Sequence, residues 1–207
     1  MTHGTPKMLL RIALPVCVLA LIAAVPLLHK VNRVRTVRNL RTVEPGEFYR
    51  SGQMSPEAFE RVVRERDIRT VFSIREGTTS SIKQTDEFEQ PFCQATGRKF
   101  HRLPQPNWES DDSGTPGGEV VRQFLALLED PVETPRPILL HCFAGEHRTG
   151  AMVAIYRMEY SGWRNDEAIA EMTAVGNLRT TYAKSLLSYL GNYTPQRKTA
   201  GDSIGKR

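Results

Sequence analysis

The stretch from Pro137 to Tyr160 constrains the fold of this chain more than any other. Pro137-Ile138-Leu139-Leu140-His141 is short and apolar, as a parallel strand buried on both faces should be. Residues 149–160 read as a helix with an apolar body. Between the two, Cys142-Phe143-Ala144-Gly145-Glu146-His147-Arg148 leaves room only for a tight loop. A strand that runs through such a loop into a helix belongs to an α/β domain. It also sets the helix's unpaired N–H groups and the positive end of its dipole beside the strand's carboxyl end, where an anion is stabilised.

The residues of the loop suit that pocket. A thiol at its mouth should ionise well below the free value, and the thiolate is the nucleophile. Gly145 lets the backbone turn and approach a ligand closely. The backbone N–H groups of Phe143, Ala144, Gly145, Glu146, His147 and Arg148 can together face one tetrahedral oxyanion. The Arg148 guanidinium can fold back and grip two of its oxygens. Thr149 can hydrogen-bond the sulfur and ease its departure, and His141 can brace the loop from behind. The sulfur of Cys142 would attack phosphorus in line, and the departing oxygen would need a proton. Glu109, Asp111 and Asp112 lie in a long polar loop over residues 104–118, where Asp111 is the first candidate for the acid and Asp112 the second. Trp108 beside them either closes over a substrate or pins the loop to the domain. No metal or cofactor is expected: Cys93, His101, His141, Cys142 and His147 lack the paired spacing of a zinc site.

Around this centre the sequence predicts a single, mostly parallel sheet flanked by helices. Short strands are expected at 48–51, 68–74, 99–103 and 137–141. Ser55-Pro56-Glu57 starts a helix, with Ser as N-cap and Pro at the first helical position. Further helices are expected at 85–96 (blemished by Pro91), 119–128, 149–160, 166–175 (capped by Asn165) and 181–189. The three cysteines are too few and too irregular for a disulfide framework.

Charge divides the chain. The net charge is +5, yet residues 1–43 hold seven basic side chains and no acidic one, and residues 44–194 are net acidic. A basic nucleic-acid-binding face on the domain is therefore disfavoured. Residues 12–28 carry no charge, and 8–28 is long enough to cross a bilayer as a helix, with Arg11 snorkelling. Leu21 and Ile22 fit poorly upstream of a signal-peptide cleavage site near Ala23 and Ala24, so an uncleaved single-pass anchor is expected. The five basic residues that follow it favour a cytoplasmic domain. The expected organisation is a short tail (1–7), a transmembrane anchor (8–28), a basic linker (29–43), a domain (44–192) and a disordered tail (193–207).

His141-Cys142-x-x-Gly145-x-x-Arg148-Thr149-Gly150 resembles the signature of the cysteine-based protein tyrosine phosphatases, in the dual-specificity branch. Phe48-Tyr49-Arg50-Ser51-Gly52-Gln53, Thr70-Val71-Phe72-Ser73-Ile74-Arg75, Ala154-Ile155-Tyr156-Arg157 and Gly162-Trp163 are similar to the compact bacterial and plant-fungal members. The resemblance covers about residues 44–190. It implies a metal-free phosphomonoester hydrolase with Cys142 as nucleophile, Arg148 as phosphate clamp and Thr149 as release hydroxyl. It also implies an acid about thirty residues before the cysteine, which Asp111 and Asp112 both fit. The substrate would be a phosphorylated protein, phosphotyrosine first and phosphoserine or phosphothreonine next, or another phosphomonoester. Members that take highly phosphorylated inositides carry lysines in this loop, where this chain has Ala144, Glu146 and His147. A phosphoinositide phosphatase is accordingly an alternative, as is a module that binds phosphorylated partners without turnover. A rhodanese-type sulfur transferase fits the Arg148-Thr149-Gly150 ending poorly.

Overall fold

Five strands form one sheet: β1 (Arg41–Glu44), β2 (Phe48–Ser51), β3 (Thr70–Ser73), β4 (Lys99–Arg102) and β5 (Ile138–His141), in the order β1-β2-β5-β3-β4. Strands β2, β5, β3 and β4 are parallel, and β1 runs antiparallel to β2. The computed structural model describes residues 37–75, 86–104, 106, 108, 117–176 and 181–197, together with positions 22, 24, 25 and 28. Strand β5 lies at the centre and pairs with β2 and β3 on its two sides. Its side chains alternate. Ile138 and Leu140 join the cluster of Phe48 and Phe72 on one face, and Leu139 joins Tyr49 and Val71 on the other. Burial on both faces explains the apolar and β-branched residues of β3 and β5.

Helices α1 (Pro56–Glu65) and α2 (Glu89–Ala95) cover the Leu139 face with Phe59, Val62, Val63 and Cys93. The other face is covered by α3 (Gly117–Glu129), α4 (His147–Tyr160), α5 (Asn165–Val175) and α6 (Thr181–Gly191), which supply Val120, Phe124, Met152, Ile155, Met172 and Leu186. Ser55 caps α1 by accepting from Ala58 N–H at 3.3 Å, and Pro56 opens it. Pro91 falls in the first turn of α2, where its missing N–H costs no helical hydrogen bond, so that helix starts late.

The structure adds detail at three places. The basic linker was expected to run to residue 43, but the unit holding the sheet begins at Val37 and β1 occupies Arg41–Glu44. An exposed edge strand with Arg41 and Thr42 facing outward carries no buried alternation to betray it. Asn165 does not cap α5 but is its first residue. Its Nδ2 donates to the carbonyls of Leu190 (2.7 Å) and Tyr193 (2.8 Å), satisfying acceptors at the end of α6. Glu167 instead accepts from the Arg164 N–H at 2.8 Å. Residues 193–197 fall within the disordered tail expected from 193. The buried Glu159 carboxylate of α4 accepts from Tyr193 Oη (2.5 Å), Gln196 N (2.9 Å) and Arg197 N (2.9 Å), which holds this segment against the domain. Among the described residues no helix is long and apolar enough to cross a membrane. The span expected over 8–28 lies outside them, apart from Ile22, Ala24, Val25 and Leu28.

Candidate active site

Because Ser51 and Ser73 both pair with His141, the parallel strands finish at one edge, and the chain leaves β5 there at Cys142. The carboxyl edge of a parallel sheet is where α/β folds place ligands. Cys142 is 4% exposed, and its Sγ accepts the Gly145 N–H at 3.2 Å. Gly145 has φ +73, and a Cβ there would fall 2.3 Å from Gly52 N and 2.5 Å from Ser51 C. Two backbones thus touch at this point, and only glycine permits it.

The orientation of the loop follows from where its carbonyls go. Phe143 O accepts from Gln53 N at 3.0 Å, and Ala144 O from Asn39 Nδ2 at 2.8 Å. Gly145 O accepts from Arg50 Nη2 at 2.8 Å, and Glu146 O from the same nitrogen at 3.4 Å and from Gly150 N at 2.7 Å. In a trans peptide the carbonyl and the next N–H point in opposite directions. Four carbonyls drawn towards outside partners therefore turn the N–H groups of Ala144, Gly145, Glu146 and His147 away from those partners. The Gly145 N–H, directed at Sγ, is the case observed directly. Helix α4 starts immediately after, with Arg148 half-buried in its first turn and the buried Thr149 Oγ1 unbonded to any described residue. Such a geometry can hold a tetrahedral oxyanion over a sulfur nucleophile.

Of the residues that support the loop, sequence reasoning named His141 but not Arg50, Asn39 or Glu89. Arg50, 2% exposed in β2, carries its guanidinium beneath the loop. Burial lowers its pKa to about 10, against the opposing charges of Glu171, Cys142 and Glu146, so it stays cationic at neutral pH. His141 Nε2 lies 2.8 Å from Glu89 Oε2, both inside the protein, so His141 is backed by a carboxylate from α2. Asn39 ties the loop through Ala144 O and also donates to Glu146 Oε1 at 3.2 Å. A signal for Arg50 exists in hindsight: a charge inside a strand predicted to be buried must have partners. Asn39 and Glu89 lie far away in sequence and offer no such signal.

The lip of the site is cationic and aromatic. The Phe143 side chain points outward, 52% exposed, with the guanidinium carbons of Arg38 and Arg75 at 5.0 and 5.4 Å from its ring centre. Arg75 is held by the buried Asp86 at 3.5 Å, which also pairs with Arg102 at 2.8 Å. The candidate acids Asp111 and Asp112, like Glu109, lie outside the described residues. Trp108 is 7% exposed and meets the Tyr189 ring edge-on at 4.8 Å, so of its two expected roles the structure supports pinning the loop to α6. An open groove of about 840 Å³ runs beside it, lined by Trp108, Lys184, Ser188, Tyr189 and Asn192. None of the residues lining that groove belongs to the Cys142 loop.

Comparison with known proteins agrees with this geometry. A family model described as a DSP-PTPase phosphatase fused to NAD+ kinase matches residues 22–186. The dual specificity protein phosphatase TpbA of Pseudomonas aeruginosa is 39% identical over 57 residues, 28% of this chain and 24% of that protein. The protein tyrosine phosphatase type IVA 3 of Bos taurus is 30% identical over 94 residues, 44% of this chain and 53% of that protein. The chain thus spans about half or less of the length of these relatives. Among solved structures, the core catalytic domain of the PP-IP phosphatase SIW14 from S. cerevisiae superposes with a TM-score of 0.58 at 18% identity. The superposition covers 77% of this chain and 87% of that one.

Proposed function

This chain belongs to the family of dual-specificity-type, cysteine-based phosphatases represented by that model, and on this premise we propose that it hydrolyses phosphomonoesters through a phospho-cysteine. The single observation that carries the reading is the loop held by Gln53, Asn39 and Arg50 through its carbonyls, with the Gly145 N–H on the sulfur of Cys142. In the first step Sγ bonds to phosphorus and the ester P–O bond breaks. The departing oxygen takes a proton from Asp111 or Asp112 on the 104–118 loop. In the second step water attacks phosphorus, the P–S bond breaks, and the aspartate takes the water's proton while Thr149 hydrogen-bonds the leaving sulfur. Arg148 grips the equatorial oxygens, whose charge grows as the bonds loosen.

Phosphotyrosine in proteins is the preferred substrate of this proposal, with phosphoserine and phosphothreonine behind it. Glu146 adds negative charge beside the cup and opposes a polyphosphorylated ligand. Residues 8–28 anchor the domain to a membrane, and the basic residues after the anchor place the domain in the cytoplasm. Extraction of the full chain with alkaline carbonate tests the anchor: release into the soluble fraction would remove it.

The chemistry is tested with the full chain in detergent, using p-nitrophenyl phosphate in the presence of a chelator. The expected result is turnover that vanadate inhibits and that Cys142→Ser and Arg148→Ala each reduce by about a thousandfold or more. Acid quenching should trap phosphate on the Cys142 peptide. A Cys142→Ser protein as active as its parent would overturn the reading, and so would thiosulfate sulfur transfer without phosphatase activity.

A further inference from the structure

Arg50 stands out among the buried charges as the one whose partners are carbonyl oxygens of the loop itself. Its Nη2 reaches Gly145 O at 2.8 Å and Glu146 O at 3.4 Å. A Cβ on Gly150 would lie 3.4 Å from the same nitrogen, so the guanidinium sits where β2, the loop and the first turn of α4 meet. Its Nε is buried and bonded to no described residue. Keeping a guanidinium 2% exposed with an unpaired donor is unfavourable, and a fold that needed only packing would be served better by an apolar side chain.

We propose that Arg50 is a positioning residue that presets the phosphate cup by fixing the Gly145–Glu146 and Glu146–His147 peptides with their N–H groups facing the ligand. The proposal rests on the phosphatase reading above. One nitrogen draws two successive carbonyls to the back of the loop, a task that an arginine performs with a charged donor of fixed direction. Each carbonyl so held commits the following N–H to the opposite side. The cup is then formed before phosphate arrives, and binding a ligand need not reorganise it. The guanidinium also places a positive charge behind the site that carries the sulfur and the oxyanion. Arg157 makes a useful contrast. It is a partly buried arginine joining α4 to Glu171 of α5 at 3.0 Å and to Val43 O at 2.7 Å, with no bond to the loop.

The test uses the full chain and three variants, Arg50→Met, Arg50→Lys and Arg157→Met. Tungstate dissociation constants and the kinetics of p-nitrophenyl phosphate are measured well below each variant's thermal midpoint. Arg50→Met should weaken tungstate about 30- to 100-fold and lower kcat more than it raises KM. Arg50→Lys keeps the charge but not the guanidinium, and should weaken tungstate about tenfold. Arg157→Met should lower the thermal midpoint and leave tungstate affinity within about twofold. A folded Arg50→Met protein binding tungstate within threefold of the parent would overturn the proposal. If Arg50→Met does not fold, an Arg50→Lys protein indistinguishable from the parent overturns it equally. A parent that neither binds tungstate nor turns over ester rejects the phosphatase reading instead. A parent that does both, with Arg50 variants that match it, rejects the role of Arg50 alone.

Discussion

At the scale of single residues, the site depends on backbone contacts that tolerate no side chain. A methyl group on Gly145 would meet Gly52 N at 2.3 Å and Ser51 O at 2.6 Å, both backbone atoms that cannot swing aside, and φ +73 disfavours any L-residue. Gly145→Ala should therefore cost about 2–4 kcal/mol of stability and lower kcat/KM at least a hundredfold. Urea midpoints and steady-state kinetics check both, and an alanine variant with unchanged turnover would show that the two backbones do not meet as described. The cysteines differ just as sharply. Burial first, and then the negative charge of Glu89, push the Cys93 thiol up to about 12, with Arg98 opposing. At pH 8 iodoacetamide should label the folded protein at Cys142 and spare Cys93 until urea is added, with vanadate protecting Cys142. Mass analysis of the two peptides decides it, and early labelling of Cys93 would contradict its burial.

At the scale of elements, the strands show what the sequence can reveal. Strands β3 and β5 are legible because parallel strands inside the sheet carry apolar or β-branched residues, and the centrality of β5 follows from its being the most apolar. Strand β1 is not legible, since its outward Arg41 and Thr42 look like more of the basic segment before it. Helix α4 shows the opposite failure. Its helical nature is plain, but nothing local says that Glu159 is buried in order to hold residues 193–197. A carboxylate accepting three hydrogen bonds is hard to replace. Glu159→Gln should destabilise the protein by about 1–3 kcal/mol and speed hydrogen exchange at Gln196 and Arg197 at least tenfold. Unchanged protection at those two amides would mean that the carboxylate does not hold the segment. Trp108 packs edge-on against Tyr189 of α6. Trp108→Ala should lower kcat on phenyl phosphate more than on p-nitrophenyl phosphate, because only the poorer leaving group depends fully on the acid. Equal losses on the two esters would separate Trp108 from acid placement.

At the scale of the whole molecule, the nucleophile and clamp are legible because their chemistry requires fixed spacing within one loop, whereas Arg50, Asn39 and Glu89 reach that loop only through the fold. The same folding buries groups that resist ionisation, which gives the stability of the domain a pH signature. Cys93, ordinarily near 9.0, and Tyr156, ordinarily near 10.0, are both raised to about 12. For Tyr156 the causes are burial first and then its hydrogen bond to Glu44 at the end of β1. A raised pKa means that the unfolded chain loses its proton before the folded one does. The stability these groups contribute is therefore intact below pH 9 and drains away as pH climbs towards 12. The slope reaches about 1.4 kcal/mol per pH unit for each group while the unfolded form is ionised and the folded form is not. Urea midpoints of the parent should accordingly hold steady from pH 7 to 8.5 and fall steeply above pH 10. Tyr156→Phe should be less stable than the parent at pH 7, having lost its bond to Glu44, yet decline less steeply above pH 10, so that the two curves converge. Parallel curves across that range would mean that the Tyr156 hydroxyl ionises in the folded protein as it does in the unfolded chain, and that β1 does not close over it.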